Sequence, residues 1–336
     1  MDTALPNCEI CGEPALRVLC DARELASHAE LLGRFHAKRL RIASEEQLEE
    51  RATFTQDDAA AVLACSSCGL VLRWPRPREA ALRRTYARDE YAPERLDEMV
   101  ASQRALFRRK IPLLRAMLGK PECVLEIGSF VGGFLEEARE AGWDAVGVDP
   151  GRQLVGECRR RGLRVIEGTF EELAARDELF AVDCLAIWNT FDQLAEPRTT
   201  LELAALTLRP GGILALRVPH GLCFERLLAQ WRSAADADGA LLWEACLAWN
   251  NLFSFPYLFG HTLESLRRLV TPFGFELVSA HGDLLPPTAG RDLAPWAYEE
   301  EKCVRSMQLR WMEGEDRAGS QLAHAPWLDV YWKRVA

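Results

Sequence analysis

The segment from Cys123 to Pro150 constrains the fold of this chain more than any other. It begins with the apolar run CVLEIG, whose aliphatic residues and closing glycine indicate a buried parallel strand that enters a tight turn. FLEEAREAG then places apolar residues at helical spacing, and DAVGVD is a second strand. That strand ends in Asp149, twenty-one positions after Gly128, where a carboxylate can accept hydrogen bonds from two ribose hydroxyls. The order strand, glycine loop, helix, strand and acid predicts a βαβ unit that holds a nucleotide-type cofactor, and therefore an enzyme.

The spacing of the glycines discriminates between cofactors. A dinucleotide fingerprint requires G-x-G-x-x-G, whose second glycine lets the backbone approach a pyrophosphate, but this chain has Phe130 at that place. The bulky side chain argues against NAD or FAD, and no Lys-Ser or Lys-Thr follows the loop to form a P-loop. S-adenosylmethionine contains adenosine and an amino-acid tail but no phosphate, so its loop requires less.

Five ordered segments resemble the class I S-adenosylmethionine-dependent methyltransferases. EIGSFVGGF and VGVDP resemble the first two motifs, RVIEGTFEEL the adenine-contacting segment, FAVDCLAIWNTFDQLAEP the fourth strand and its loop, and LTLRPGGILALRVPHG a helix, a turn and the fifth strand. The family pattern is acid-x-Gly-x-Gly-x-Gly, and here Phe130 replaces the middle glycine. The resemblance implies an α/β fold, a Rossmann-like class I methyltransferase sheet with helices on both faces.

The same resemblance implies which residues contact S-adenosylmethionine. Glu126 and the loop from Gly128 to Gly132 would face its methionine part, and Asp149 its ribose. The full set of implied cofactor contacts is Tyr91, Glu126, Gly128, Ser129, Phe130, Gly132, Asp149, Pro150, Gly168, Thr169, Phe170 and Trp188. Alone, the glycines would also fit an ordinary strand-to-helix turn, and Asp149 a solvated strand end.

Two cysteine pairs near the start of the chain form a second pattern. Cys8-x-x-Cys11 and Cys65-x-x-Cys68 are each followed by glycine, and the x-x spacing lets both thiolates of a pair reach one tetrahedral ion. Four thiolates predict a closed, structural Zn²⁺ site that clips together segments roughly fifty residues apart. A redox pair or structural disulfides are the weaker alternatives, because no thioredoxin-like unit and no signal peptide is recognised.

The cysteine pairs, followed by the methyltransferase motifs, resemble a subgroup of small-molecule methyltransferases that includes sugar C-methyltransferases. CGLVLRWPRP and RTYARDEY resemble the junction of that subgroup, in which a tyrosine leans over the cofactor, and Tyr91 fits this place. Packing of a linker on the core is the alternative for Tyr91. Where the sugar enzymes carry Glu-His pairs, this chain has Asn250-Asn251 and Asp192-Gln193, so their mechanism does not transfer as it stands.

Methyl transfer is an in-line displacement that depends on positioning, and it requires a base only if the acceptor must lose a proton. His220, just past the fifth strand, is the first candidate for that base, because histidine titrates in the useful range. His261 is the second candidate and Tyr257 the third. A loop histidine bonded to the backbone is the alternative for His220. The aromatic-rich stretch from Trp231 to His261 fits an acceptor pocket, the core of a helical lid or an oligomer contact.

Composition and pattern predict three regions. They are a zinc-binding module with a helical insert at 1–82, a cofactor domain at 83–285 with an aromatic cap at about 225–262, and a C-terminal helix and edge strand at 286–336.

The net charge of −9 counts against nucleic-acid binding, and no apolar stretch is long enough to span a membrane. Eleven cysteines without an export signal predict a cytoplasmic protein.

We therefore expect an S-adenosylmethionine-dependent methyltransferase that acts on the oxygen, nitrogen or carbon of a small-molecule acceptor, in specialised metabolism or sugar modification. Its oligomeric state stays open. The first alternative is a degenerate methyltransferase fold whose zinc module binds protein or RNA. A less favoured alternative is an NAD-dependent oxidoreductase, which Phe130 opposes.

Overall fold

The computed structural model describes residues 5–42, 60–76, 91–119, 121–254, 258–288, 291–318 and 322–335. Its strands are β1 (Leu16–Cys20), β2 (Ala61–Cys65), β3 (Val71–Trp74), β4 (Cys123–Ile127), β5 (Asp144–Asp149), β6 (Arg164–Glu167), β7 (Val182–Trp188), β8 (Leu208–Pro219), β9 (Phe259–Gly260), β10 (Phe275–Asp283) and β11 (Trp327–Arg334). Its helices are α1 (Ala22–Ala37), α2 (Pro93–Arg108), α3 (Ile111–Leu118), α4 (Gly133–Glu140), α5 (Arg152–Arg160), α6 (Phe170–Ala175), α7 (Pro197–Thr207), α8 (Gly221–Ser233), α9 (Ala237–Ala248), α10 (Leu263–Val270) and α11 (Pro295–Ala318). None of the described helices has the length and apolar character that crossing a membrane requires.

The chain forms two compact units, each drawn from several stretches of sequence. The first unit comprises Met1–Pro77, Val218–Leu269 and His281–Leu328, and the second comprises Arg78–Arg217, Val270–Ala280 and Asp329–Ala336. The aromatic stretch thus falls in the same unit as the N-terminal strands. The boundaries that we expected near residues 82 and 285 stay a prediction about domains.

The first unit contains a four-stranded antiparallel sheet in the order β1-β2-β3-β9. The pairing of Val71 with Gly260 joins strands that are far apart in sequence. Beside the sheet, helices α1, α8, α9 and α11 contribute to one apolar core. The buried face of α1 follows helical spacing through Leu25, His28, Leu32 and Phe35.

Much of the aromatic stretch belongs to this core. Trp231 and Phe253 both pack on the buried His28 ring, with ring centroids 4.8 and 4.5 Å away. Trp243 stacks on Trp311 of α11 at 5.6 Å. These contacts favour the helical-core interpretation of these aromatic residues over a pocket lining.

The second unit contains a seven-stranded sheet in the order β10-β11-β8-β7-β4-β5-β6. The pairs β4–β5, β4–β7, β5–β6 and β7–β8 are parallel. Phe134 and Leu135 of α4 are fully buried in the core beside Val124 of β4 and Cys184 of β7. The Rossmann-like α/β sheet that the sequence predicts is confirmed.

The prediction of a C-terminal edge strand is wrong. Strand β11 lies between β10 and β8, and its first six residues are buried. Asp329 gives the sequence its polar alternation, yet it is buried because it pairs with Lys110 and with Arg217, whose Nη1 lies 2.9 Å from Asp329 Oδ1. A buried, ion-paired aspartate in an interior strand therefore produces the same polar alternation in the sequence as a solvent-exposed edge strand.

The predicted turn at LRPGG lies instead inside β8. This strand begins at Leu208, directly after α7 ends at Thr207. Val182 of β7 pairs with Leu208 and Cys184 pairs with Ile213, so the residues between form an irregularity in the strand. Gly211 has a φ of +83° there, which glycine adopts without steric cost.

Candidate functional site

The loop that joins β4 to α4 uses left-handed backbone at alternate residues. Gly128, Phe130 and Gly132 have φ angles of 74°, 48° and 78°. Two of the three are glycines, for which this conformation has no steric cost, whereas Phe130 adopts it at a cost of about 1–2 kcal/mol. Replacement of the middle glycine has therefore kept the left-handed backbone at this position.

Contacts on both sides of Phe130 accompany that conformation. Its backbone N–H donates to Asp149 Oδ2 at 2.8 Å, and its ring meets the Tyr91 ring edge-on at 5.9 Å. Tyr91 is held in turn by Gln153, because the Tyr91 N–H donates to Gln153 Oε1 and Gln153 Nε2 donates to the Tyr91 carbonyl, both at 2.8 Å. The Tyr91 ring therefore lies beside the glycine loop.

Asp149 is oriented by backbone groups at the end of β5. Its Oδ1 accepts a hydrogen bond from Gly151 N–H at 2.8 Å, and its carbonyl accepts one from Gly168 N–H at 3.0 Å. Gly168 leads into α6, whose N-cap Thr169 forms a reciprocal capping box with Glu172. Pro150, next to Asp149, is partly buried, and Phe170 is fully buried. The predicted ribose and adenine segments therefore meet at Asp149.

Buried polar atoms beside the loop lack partners among the described residues. They include Glu126 Oε2 and Ser129 Oγ. The pKa of Glu126 is raised well above its usual value, because burial and the neighbouring Asp149 both disfavour its charged form. Unsatisfied buried polar groups are rare in folded proteins. A polar ligand at this loop, such as the amino-acid end of S-adenosylmethionine, fits these residues.

The loop after β7 lies against the same glycine loop. A Cβ atom added at Gly128 would lie 2.2 Å from Thr190 Oγ1, so the two loops touch. Asn189 has a left-handed φ of 53°. Asp192 is fully buried, neither of its carboxyl oxygens has a partner among the described residues, and burial raises its pKa to about 8. The sequence marks this loop only by its place after the strand, so these constraints went unpredicted.

Trp188, the last residue of β7, lies in the aromatic core of the second unit. Its ring packs against Phe107 at 5.5 Å, Phe134 at 5.6 Å and Tyr331 at 6.4 Å. Its indole Nε1 is buried with no partner among the described residues. The predicted cofactor contact of Trp188 stays a prediction, and packing accounts for most of its ring.

The two candidate histidines are paired across a β-bridge in the first unit. His220 is buried, and its Nδ1 lies 2.9 Å from the carbonyl oxygen of Ala325. His261 is fully buried, and desolvation lowers its pKa to about 3, which favours a neutral, structural imidazole. Tyr257 lies outside the described residues.

The four predicted metal ligands converge in the first unit. Their Sγ atoms all lie within 4.8 Å of one another, with Cys8–Cys68 at 3.7 Å and Cys11–Cys65 at 3.6 Å. A tetrahedral zinc ion with Zn–S bonds near 2.3 Å requires S–S edges of about 3.8 Å. The four sulfurs therefore match a closed tetrahedral site, and the geometry fits zinc.

Both knuckles use the same backbone turn. Gly12 N–H donates to the Cys8 carbonyl at 2.8 Å, and Gly69 N–H donates to the Cys65 carbonyl at 2.9 Å. Both glycines are left-handed, with φ angles of 76° and 73°, as the sequence pattern requires. A hydrogen bond from Cys68 lowers the pKa of Cys8, and the same hydrogen bond together with burial raises the pKa of Cys68.

Comparison with known proteins identifies similar chains. A family model described as a methyltransferase domain matches residues 99–280. The C-methyltransferase NovU of Streptomyces niveus is 32% identical over 108 residues, which cover 30% of this chain and 24% of that protein. The match thus spans about a quarter of the length of this curated relative.

Solved structures are similar at low identity. A SAM-dependent methyltransferase from Archaeoglobus fulgidus is 17% identical, with 69% of this chain and 94% of that chain covered and a TM-score of 0.43. The cyclopropane synthase MmaA2 from Mycobacterium tuberculosis is 16% identical, with 66% and 82% covered and a TM-score of 0.40.

Proposed function

Because this chain belongs to the S-adenosylmethionine-dependent methyltransferases, we propose that it methylates a small-molecule acceptor in specialised metabolism or sugar modification. The partial match to a C-methyltransferase supports methyl transfer, with carbon as one candidate for the acceptor atom. The departures at Asn250-Asn251 and Asp192-Gln193 separate this chain from the sugar enzymes, so the methylated atom can be oxygen, nitrogen or carbon.

The observation that carries the proposal is the glycine loop with its acid. Asp149 is held by two backbone N–H groups, from Phe130 and Gly151, which leaves its carboxylate oriented for ribose hydroxyls. Glu126 and Ser129 offer unsatisfied polar atoms to the methionine end. When bound, S-adenosylmethionine supplies a methyl group on a sulfonium, and these residues hold and orient it.

His220 is the proposed base where the acceptor must lose a proton. A carbonyl oxygen only accepts hydrogen bonds, so the Nδ1 that faces the Ala325 carbonyl carries the proton. That tautomer leaves Nε2 as the nitrogen that can take up a proton. The low pKa of the fully buried His261 makes it the weaker candidate, and Tyr257 stays a candidate from sequence alone.

We assign the four cysteines to a structural zinc ion. Cys8, Cys11, Cys65 and Cys68 would fill all four tetrahedral positions, so the metal would have no open position for a substrate. Its role would be to fix two chain segments in the first unit.

Calorimetric titration with S-adenosylhomocysteine, the reaction product, tests the cofactor site without knowledge of the acceptor. We expect saturable one-to-one binding with a Kd in the micromolar range, which corresponds to a binding free energy of roughly −8 kcal/mol. Asp149→Asn should weaken binding by about 10- to 150-fold, since one hydrogen bond to a charged group contributes roughly 1.5–3 kcal/mol and about 1.4 kcal/mol corresponds to tenfold. Asp177→Asn, which changes an exposed acid in the same unit, is the matched control. No binding by the wild type would favour the degenerate-fold alternative.

A further inference from the structure

Thr262 contacts the second cysteine knuckle directly. Its hydroxyl Oγ1 donates a hydrogen bond of 2.7 Å to the carbonyl oxygen of Cys68. A Cβ atom added at Gly69 would lie 2.8 Å from the Thr262 methyl carbon, so the knuckle and this side chain approach closely. Thr262 is buried, and its hydrogen bond is therefore shielded from water.

The same threonine immediately precedes α10. Its Oγ1 accepts a hydrogen bond from Ser265 N–H at 3.0 Å, and its own N–H donates to Ser265 Oγ at 2.9 Å. Arg268 of α10 makes a second contact with the knuckle, where its Nη1 donates to Ser67 Oγ at 3.3 Å. The start of α10 is thus fixed to the turn between Cys65 and Cys68.

The residue before Thr262 brackets His220. His261 N–H donates to the Pro219 carbonyl at 3.0 Å, and Gly221 N–H donates to the His261 carbonyl at 2.9 Å. The approach is close, because a Cβ atom at Gly221 would lie 2.6 Å from the Gly260 carbonyl oxygen. The backbone on both sides of His220 is therefore hydrogen-bonded to the residue next to Thr262.

We propose that Thr262 is a positioning residue whose hydroxyl couples the second cysteine pair to His220, so that a zinc ion held by the four thiolates also fixes the place of the His220 imidazole. The path has three consecutive links: the Cys68 carbonyl, the Thr262 side chain and the His261 backbone. This proposal rests on the proposed function, which assigns zinc to the cysteines and proton uptake to His220.

The decisive variants change only the hydroxyl or only the methyl group. Thr262→Val keeps the side-chain shape and removes the two hydrogen bonds of the hydroxyl, to the Cys68 carbonyl and from the Ser265 N–H. Thr262→Ser keeps the hydroxyl and removes the methyl group. Thr207→Val removes a buried hydroxyl that donates to Leu203 O at 2.8 Å in the second unit, and it is the matched control. Each protein is purified in full length with its metal.

Two readouts follow the two ends of the path. Thr262→Val should retain zinc but release it to a chromogenic chelator about tenfold faster. Hydrogen exchange at the Gly221 and His261 amides should also accelerate about tenfold. The expected size follows because one or two hydrogen bonds are lost and tenfold corresponds to about 1.4 kcal/mol. Thr262→Ser and Thr207→Val should match the wild type within about threefold.

If Thr262→Val fails to fold, treatment of the wild type with a chelator tests the same coupling. Removal of zinc from the wild type should accelerate exchange at Gly221 and His261 and change the ¹⁵N signals of the His220 ring, with S-adenosylhomocysteine affinity unchanged. Faster zinc release with unchanged exchange at both amides would overturn the coupling and leave the zinc site intact. A wild type that contains no zinc would instead refute the metal assignment of the proposed function.

Discussion

Gly128→Ala tests whether contact between two loops fixes the cofactor site. Gly128 has a φ of +74°, and an L-residue there costs about 1–2 kcal/mol. The added Cβ would also lie 2.2, 2.8 and 2.9 Å from Thr190 Oγ1, Cγ2 and Cβ. Such overpacking costs typically about 1–3 kcal/mol. We therefore expect Gly128→Ala to lower the free energy of unfolding by about 2–5 kcal/mol.

A second glycine separates the two contributions. Gly142 has a φ of +84°, but nothing lies within 4 Å of its added Cβ. Gly142→Ala should therefore cost only the conformational part, about 1–2 kcal/mol. In the Gly128→Ala background, Thr190→Ala removes the contacts at 2.2 and 2.8 Å and should recover about 1–2 kcal/mol as a coupling energy.

Urea unfolding of Gly128→Ala, Gly142→Ala, Thr190→Ala, the Gly128→Ala/Thr190→Ala double variant and the wild type gives these free energies. Titration with S-adenosylhomocysteine reports the state of the cofactor site. Gly128→Ala should weaken binding, whereas Gly142→Ala should not, because Gly142 follows α4 at its far end. Equal destabilisation by Gly128→Ala and Gly142→Ala, or no recovery from Thr190→Ala, would refute the claim that the loops touch.

Three further predictions concern titration, metal and catalysis. Burial raises the pKa of Asp192 from 3.8 to about 8, so the native state binds one more proton than the unfolded state between these pH values, and the free energy of unfolding should fall by up to about 1.4 kcal/mol per pH unit as the pH rises from about 4 to 8. Asp192→Asn should flatten that slope in urea unfolding measured from pH 5 to 8.5, and an unchanged slope would contradict the burial argument. Cys65→Ser should lose zinc by elemental analysis and lower the melting temperature, whereas Cys303→Ser, at an exposed cysteine, should not; a wild type without metal would speak against the site. His220→Ala should abolish S-adenosylhomocysteine formation with any acceptor found by screening yet keep cofactor affinity, with His281→Ala as control; unimpaired turnover would remove His220 from catalysis.

Local signals in the sequence located most of the second unit. Strands β4 and β5 and helix α4 appear where hydrophobic periodicity places them, because each element of a βαβ unit carries its own pattern. The cysteine cluster was equally readable, since x-x spacing and the following glycine prescribe one turn. These features depend on residues that are neighbours along the chain.

Long-range pairing was not readable in the same way. Strand β3 pairs with β2 on one side and with β9 on the other. Strand β9 has only two residues and lies almost two hundred positions later, and no local sequence pattern predicts this pairing. Phe130 is a second feature that the sequence did not predict. Its presence in place of a glycine indicates a weakened motif, yet the Phe130 backbone keeps the left-handed φ angle. The cost of that angle is local, but its compensating contacts come from Tyr91 and Asp149, which other segments supply.

The interior place of β11 has a consequence for synthesis on the ribosome. Strand β10 emerges before β11 but lies outside it in the sheet, so β10 cannot take its final place until β11 has been made. During that interval β8 presents an unpaired edge of backbone N–H and C=O groups. Such an edge can pair with other nascent chains. Substitutions that slow the insertion of β11 between β8 and β10 should therefore lower the soluble yield in cells more than they lower the stability of the folded protein.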